Sequence, residues 1–316
     1  MDERLYKEHQ VSEVRLPRTL KTFAWISFLL NVLIIATGGA VRLTGSGLGC
    51  TEWPLCTPGS LVPTAELSYH SLIEFGNRTI SGPLLIAALA VVILTRRIRA
   101  QRRDLSILSW LVLSLVLLQA FVGGVVVWVD LAAFLVGFHY IVSLIIIGIA
   151  AAYVVLMKQP AGPRVRVVPK GYAILSHVST LGMAILIIMG VLTTASGPHS
   201  GDENVIRNGF DASFLAHLHA WPGYITGTLL VILMVWSIAK KLPTAKWAVT
   251  LALLVFVQIL VGIYQARNGL PALVVGVHMV LAALSVATMT AAMLSLKRPN
   301  TSPIDAPVES VPVAAN

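Results

Sequence analysis

Eight apolar runs of about twenty residues take up nearly all of this chain, at roughly 22–43, 70–95, 105–129, 132–157, 172–195, 212–238, 246–264 and 271–295. A bilayer core about 30 Å thick is crossed by about 20 helical residues, so each run is a candidate span. Of the 316 residues, 56% are hydrophobic and 12% charged, whereas soluble domains carry about a quarter charged residues. The sequence predicts an all-α membrane protein with eight transmembrane helices.

The net charge of +9 invites a nucleic-acid reading, and its distribution argues against one. Basic residues cluster at Arg4, Lys7, Arg15, Arg18 and Lys21, in RRIRAQRR (96–103), in KQPAGPRVRVVPK (158–170), in KKLPTAK (240–246) and at Lys297–Arg298. These segments hold 19 of the 23 Lys and Arg residues and fall on one side if the spans alternate. Positive-inside logic then puts both termini in the cytoplasm. Arg42, Arg78, Arg207 and Arg267 are left at the outer face. Asp2, Glu3, Glu8 and Glu13 argue against a cleaved organelle-targeting peptide, which is acidic-poor. The expectation is a multi-pass bacterial cell-membrane protein with an uncleaved N-terminus, the bilayer its partner and nucleic acid not.

Only two cysteines occur, Cys50 and Cys56, in the outer loop LGCTEWPLCTPG. That side is oxidising, so the pair reads as a disulfide or as two free thiols, and it is too small for a metal site of its own.

The chain repeats itself. LVLLQAFVGGVVVWVDLAAFLVGFHYIVSLI and LVFVQILVGIYQARNGLPALVVGVHMVLAAL align without a gap, matching Gln119 with Gln258, Gly123 with Gly262 and His139 with His278. IIATGGAVRLTGSG and IIMGVLTTASG match more loosely. The organisation expected is a tail at 1–21, a four-helix half at 22–157, a basic cytoplasmic linker at 158–171, a second four-helix half at 172–295 and a disordered cytoplasmic tail at 296–316. A four-span unit starts and ends on the same side, so the repeat is parallel, unlike the inverted repeats of many transporters. In that register Asn77 of the first half falls opposite His219 of the second.

His139, His219 and His278 each lie seven or eight residues inside the outer end of a span, roughly 10–12 Å deep. Ionisable side chains within spans are costly and mark function more often than not, although a lone histidine can simply bridge helices. Three at one level suit axial ligation of an iron porphyrin, with His219 and His278 on two helices of one half. Glycines at Gly38–Gly39, Gly123–Gly124 and Gly262 let a macrocycle approach the backbone, or simply pack helices. Asn77 opposite His139 leaves the first site a weak or open sixth position. Glu74, three residues before Asn77, is a candidate for moving protons beside the ring; the plain alternative pairs it with Arg78. Arg42, Arg78 and Arg267 are candidates for propionate binding or for interfacial anchoring. His70, His217, His199, His9, His177, Gln119 and Gln258 are given lesser roles, the glutamines bonding between helices.

The motifs GGAVRLTGSGLGC, WPLC, IEFGNR, FHYIVS, LHA and VHMVLA, with the repeat, resemble the haem A synthase family over roughly 22–295. The resemblance implies an eight-helix protein of two halves, with haem b as cofactor between His219 and His278. It implies haem O as substrate on His139, and oxidation of its C8 methyl to a formyl group to give haem A for cytochrome oxidase. It further implies that Glu74 is needed for turnover and that Cys50 and Cys56 form an intraloop disulfide. Haem O synthase and cytochrome oxidase assembly factors are the implied partners, and a homo-oligomer stays open. The family has histidine where this chain has Asn77, and some members have a second cysteine pair absent here. The competing readings are a quinone-linked di-haem b electron carrier and a haem transporter.

Overall fold

The computed structural model describes residues 15–64, 68–199, 201–202, 209 and 211–300. Expectations that rest on Arg4, Lys7, His9 or Arg207 lie outside the described residues.

Eight long helices follow one another: α1 (Arg18–Leu43), α2 (Tyr69–Arg96), α3 (Arg103–Trp128), α4 (Ala133–Leu156), α5 (Lys170–Ser196), α6 (Ala212–Ala239), α7 (Ala245–Arg267) and α8 (Ala272–Ser295). All eight are long and apolar enough to cross a membrane. With no water to serve the backbone, a helix satisfies its own N–H and C=O groups. The side-chain arrangement follows from the same solvent. Leu29, Ile86, Phe121, Phe134 and Leu273 are exposed, while Asn31, Thr95, Ser179 and Thr226 are buried. Thr95 shows how such a group is satisfied, its hydroxyl bonding Val91 O at 2.6 Å and Tyr153 Oη at 2.7 Å.

Helices α1 to α4 form one bundle and α5 to α8 a second, each helix packing on its chain neighbour. The first bundle also closes through α1 against α4, whereas α5 barely meets α8. Helix α8 instead lies against α1 and α4 of the first bundle, where Ile35, Leu144, Ile147, Ala151 and Ala283 form a shared core. A β-carbon on Gly39 of α1 would sit 3.4 Å from Met279 Sδ of α8, the close approach that small residues permit between membrane helices.

The repeat extends to backbone detail. The α3–α4 turn carries Asp130 and Leu131 at φ 50° and 58°, and the α7–α8 turn carries Gly269 and Leu270 at 69° and 58°. Leu131 N–H donates to Val126 O, and Leu270 N–H donates to Gln265 O, at 2.9 Å each. A leucine in the left-handed region is strained, so its recurrence shows a turn fixed by its surroundings. These two turns set the antiparallel register that brings each glutamine beside its histidine.

Two differences from the sequence expectation concern the ends of spans. Helix α1 begins at Arg18, before the expected 22, because Pro17 (φ −55°, ψ 145°) sets the start and charged residues can occupy a first turn beyond the apolar stretch. The segment from 296, expected to be disordered, opens with a strand, β2 (Lys297–Pro299), paired antiparallel with β1 (Arg164–Arg166) of the linker. Arg164 Nη2 adds bonds of 2.7 Å to Leu294 O and 2.8 Å to Lys297 O. Three-residue strands of Arg, Val, Lys and Pro carry no apolar alternation, so no pattern announced them.

Candidate functional site

Asn77, His139, His219 and His278 lie six to eight residues in from the N-terminal ends of α2, α4, α6 and α8. That is about 9–12 Å of helix rise, one common level. Each faces a residue without a side chain on the preceding helix. A β-carbon on Gly190 would lie 2.8 Å from His219 Cε1, on Gly262 3.3 Å from His278 Cε1, on Gly123 3.5 Å from His139 Cε1 and on Gly38 3.7 Å from Asn77 Oδ1. Every other helix thus offers a bare strip of backbone on which the polar group of the next one rests.

In the second bundle the two imidazoles meet across the interior, from helices α6 and α8 that do not pack directly on each other. Their ring centres are 6.3 Å apart with planes at 74°. His219 Nδ1 donates to Leu186 O at 3.0 Å, which fixes the tautomer that leaves the Nε2 lone pair free. His278 is braced through its backbone, Gln258 Nε2 donating to its carbonyl at 3.0 Å. The first bundle repeats the brace, with Gln119 Nε2 donating to His139 O at 2.5 Å and to Ser143 Oγ at 2.6 Å. The Nδ1 atoms of His139 and His278, and the Oε1 atoms of Gln119 and Gln258, are buried without a partner. Polar atoms without a partner thus recur at symmetric positions of the two bundles.

Two facing imidazoles are too few for a bare ion, which wants about four donors, and no group of three or more His, Cys, Asp or Glu side chains suited to a metal occurs among the described residues. They suit an iron whose other four ligands come with it. Two metal–nitrogen bonds of about 2 Å, plus half a ring on each side, span roughly 6 Å between ring centres, which the His219–His278 pair matches. The donor set, its spacing and the glycine cradles fit an iron porphyrin.

The first bundle differs at Asn77, whose Oδ1 accepts from Thr37 Oγ1 of α1 at 2.7 Å. Glu74, one turn before Asn77, and Arg78, the residue after it, both bond the 50–56 loop. Arg78 spends its donors on Glu74, on Glu52 O at 2.7 Å, on Leu55 O at 2.9 Å and on Cys50 O at 3.2 Å. Glu74 is 4% exposed, paired with Arg78 through Oε1 and accepting Cys50 N–H on Oε2 at 2.7 Å. The Arg78 N–H groups are thus taken up within the protein, and Glu74 has the pairing with Arg78 that was the plain alternative for it. The i,i+4 spacing aligns the two side chains, and the loop backbone supplies the donor and acceptors that fill them.

Cys50 and Cys56 form a disulfide within that loop, both buried. Between them Trp53 lies on Gly124, so close that a β-carbon there would fall 2.5 Å from the indole, and it meets Trp128 edge-on at 5.6 Å. Gly124 adjoins the glycine that cradles His139, so the loop roofs the first site. Gly124→Val is expected to lift the indole and expose the two cysteines. Maleimide labelling of them after mild reduction, measured in membranes, should rise several-fold over wild type.

Arg42 also works on the backbone, but of the other half. Its Nε donates to His199 O at 2.8 Å and its Nη2 to Thr194 O at 2.7 Å. Neither ion pair among the described residues includes it. Gly47 N–H donates to Gly201 O at 2.8 Å alongside, joining the loops of the two bundles. Arg267 is exposed at the end of α7. His70 Nδ1 is 2.9 Å from Ser46 Oγ and its ring leans on Tyr69. His217 bonds Ser213 O, and His199 bonds Leu270 O. Sequence reasoning missed Thr37, Trp53 and Gly190; only the repeat register carried a signal for Gly190.

A family model described as cytochrome oxidase assembly protein, COX15-CtaA, matches residues 21–290. A protein of Exiguobacterium sibiricum named "Heme A synthase" is 32% identical over 152 residues, 47% of this chain and 50% of the relative. Another of that name from Lysinibacillus sphaericus is 36% identical over 130 residues, 40% of this chain and 41% of the relative. A third, from Halalkalibacterium halodurans, is 24% identical over 298 residues, 89% of this chain and 98% of the relative. The chain thus spans about half or less of the length of the first two relatives and nearly all of the third.

Proposed function

We propose that this chain, which belongs to the COX15-CtaA family of cytochrome oxidase assembly proteins, is a haem A synthase: an oxidoreductase that converts the C8 methyl of haem O to the formyl group of haem A. The observation that carries the reading is the 6.3 Å imidazole pair, His219 and His278, in a glycine-lined gap of the second bundle. There the two histidines hold a haem b cofactor, whose iron supplies one-electron chemistry when bound. The first bundle, with one imidazole and an amide, holds haem O as substrate on His139. The shared name of relatives aligned over 40%, 47% and 89% of the chain favours this activity over a quinone-linked carrier or a transporter.

In this reading residues 22–157 are the substrate half and 172–295 the cofactor half. The basic loops and both termini face the cytoplasm, and the disulfide loop faces outward. Glu74 and Arg78 are positioning residues that seat the 50–56 loop over the substrate, with Trp53 closing the space beside Gly124. Arg42, without a carboxylate partner among the described residues, offers its remaining N–H to a propionate at the seam between the halves. Haem O synthase is the natural supplier of substrate, and cytochrome oxidase assembly factors the natural recipients of product.

The test is haem extracted from cells that express this chain together with a haem O supply, identified by mass. Wild type is expected to yield haem A. His139→Ala is expected to keep the low-spin b-type spectrum of the purified protein while haem A falls to background. Undiminished haem A from that variant defeats the assignment of the substrate to the first bundle.

A further inference from the structure

Within the two-site reading above, we infer that Asn77, held by Thr37, is not an iron ligand. It is the hydrogen-bond donor over an open sixth position at the first-bundle haem, which therefore admits a small exogenous ligand that the second-bundle haem excludes.

The repeat supplies the comparison. Asn77 takes the place of His219, and each rests on a glycine of the preceding helix, Gly38 beside Asn77 and Gly190 beside His219. In the second bundle the glycine leaves room for an imidazole, a β-carbon there falling 2.8 Å from the ring. In the first bundle the glycine is kept, the ring becomes a shorter amide, and Thr37, the residue before Gly38, reaches toward it.

That reach decides what the amide can do. Thr37 Oγ1 lies 3.3 Å and 3.4 Å from the carbonyls of Leu33 and Ile34 in its own helix, but 2.7 Å from Asn77 Oδ1. The oxygen is the only atom through which an asparagine can bind a metal, and it is drawn back toward α1. What remains is the NH2 group, whose lone pair is delocalised and which therefore donates without ligating. His139 keeps its glycine cradle and its glutamine brace, so the proximal side matches the other site. One strong ligand and a fixed donor opposite it make a pocket for a small molecule. Polarity and donors on the distal side decide what such a pocket binds and activates.

The experiment uses full-length protein loaded with haem O in cells and purified with both haems. Carbon monoxide titrates the ferrous protein and fluoride the ferric protein. The expected wild-type result is carbon monoxide binding at one haem of the two, absent from His139→Ala while the bis-imidazole spectrum persists. Asn77→Leu keeps carbon monoxide affinity within about twofold but weakens fluoride, an acceptor of hydrogen bonds, by roughly tenfold. Thr37→Val weakens fluoride in the same direction by less. Asn77→His turns the site six-coordinate and low-spin, with carbon monoxide binding abolished. A His139-dependent haem that is low-spin in wild type and refuses carbon monoxide overturns the inference alone. So does unchanged fluoride affinity in Asn77→Leu. Protein that never loads a His139-dependent haem overturns the two-site reading, and the inference with it.

Discussion

Purified His278→Ala protein is expected to carry no low-spin b-type haem, and His219→Ala to behave the same way. The optical spectrum and pyridine haemochrome content of the preparation measure this directly. In the proposed site the two imidazoles, their centres 6.3 Å apart, would act as one clamp, so the loss of either would leave only one residue to hold the haem. The supporting shell sharpens the test. Gly262→Val should mimic His278→Ala, because its first added atom falls 3.3 Å from His278 Cε1 and two methyl groups must find room beyond it. Gln258→Leu should keep the haem but hold it more weakly, by the roughly 10–100-fold that outer-shell partners of metal ligands are worth. Spectra that survive both histidine changes refute the cofactor site.

Glu74→Gln is expected to retain the full b-type spectrum and to lose haem A formation by about 100-fold, the scale on which a misplacement near 1 Å lowers a rate. Glutamine keeps the shape and can still accept Cys50 N–H, but it leaves Arg78 without its anion. The route of the effect can be separated from proton transfer by a double-mutant cycle. Glu74 and Arg78 serve one object, the 50–56 loop, so Arg78→Gln should cost as much as Glu74→Gln, and the double variant no more than either. Glu74→Asp should recover part of the activity. Losses that add, or a loss confined to Glu74 with a shifted pH profile, would instead make the carboxylate a proton carrier in its own right.

The parts of this molecule that were legible in its sequence are those that hydrocarbon dictates. Span length, the repeat and the equal depth of His139, His219 and His278 all follow from periods and spacings along a helix, and the helices have them. The cysteine pair, left open as thiols or disulfide on residue chemistry alone, forms the intraloop disulfide. What was not legible depends on how loops fold back. Glu74 and Asn77 were read as sharing a face, but the i,i+4 partner Arg78 and the carbonyls of Glu52 and Leu55 recruit the carboxylate's side of the helix to the loop. Arg42, read as a candidate for propionate binding or for interfacial anchoring, is also a tie to residues more than 150 positions away, a distance no local pattern spans. Trp53 stood in a loop with no periodicity at all. The β1–β2 ladder is too short to show one.

The ties at the seam carry a consequence for traffic. Alternating access in repeat-built carriers rocks one half against the other, opening a path first on one face and then on the opposite one. Here Arg42 and Gly47 of the first bundle are bonded to Thr194, His199 and Gly201 of the second, and α8 is sunk between α1 and α4. A swing of that kind would strip a guanidinium of its carbonyls in a poorly hydrated place, a cost of several kcal/mol. Under the function proposed above, tetrapyrrole exchange is expected to run sideways instead, along the plane of the lipid.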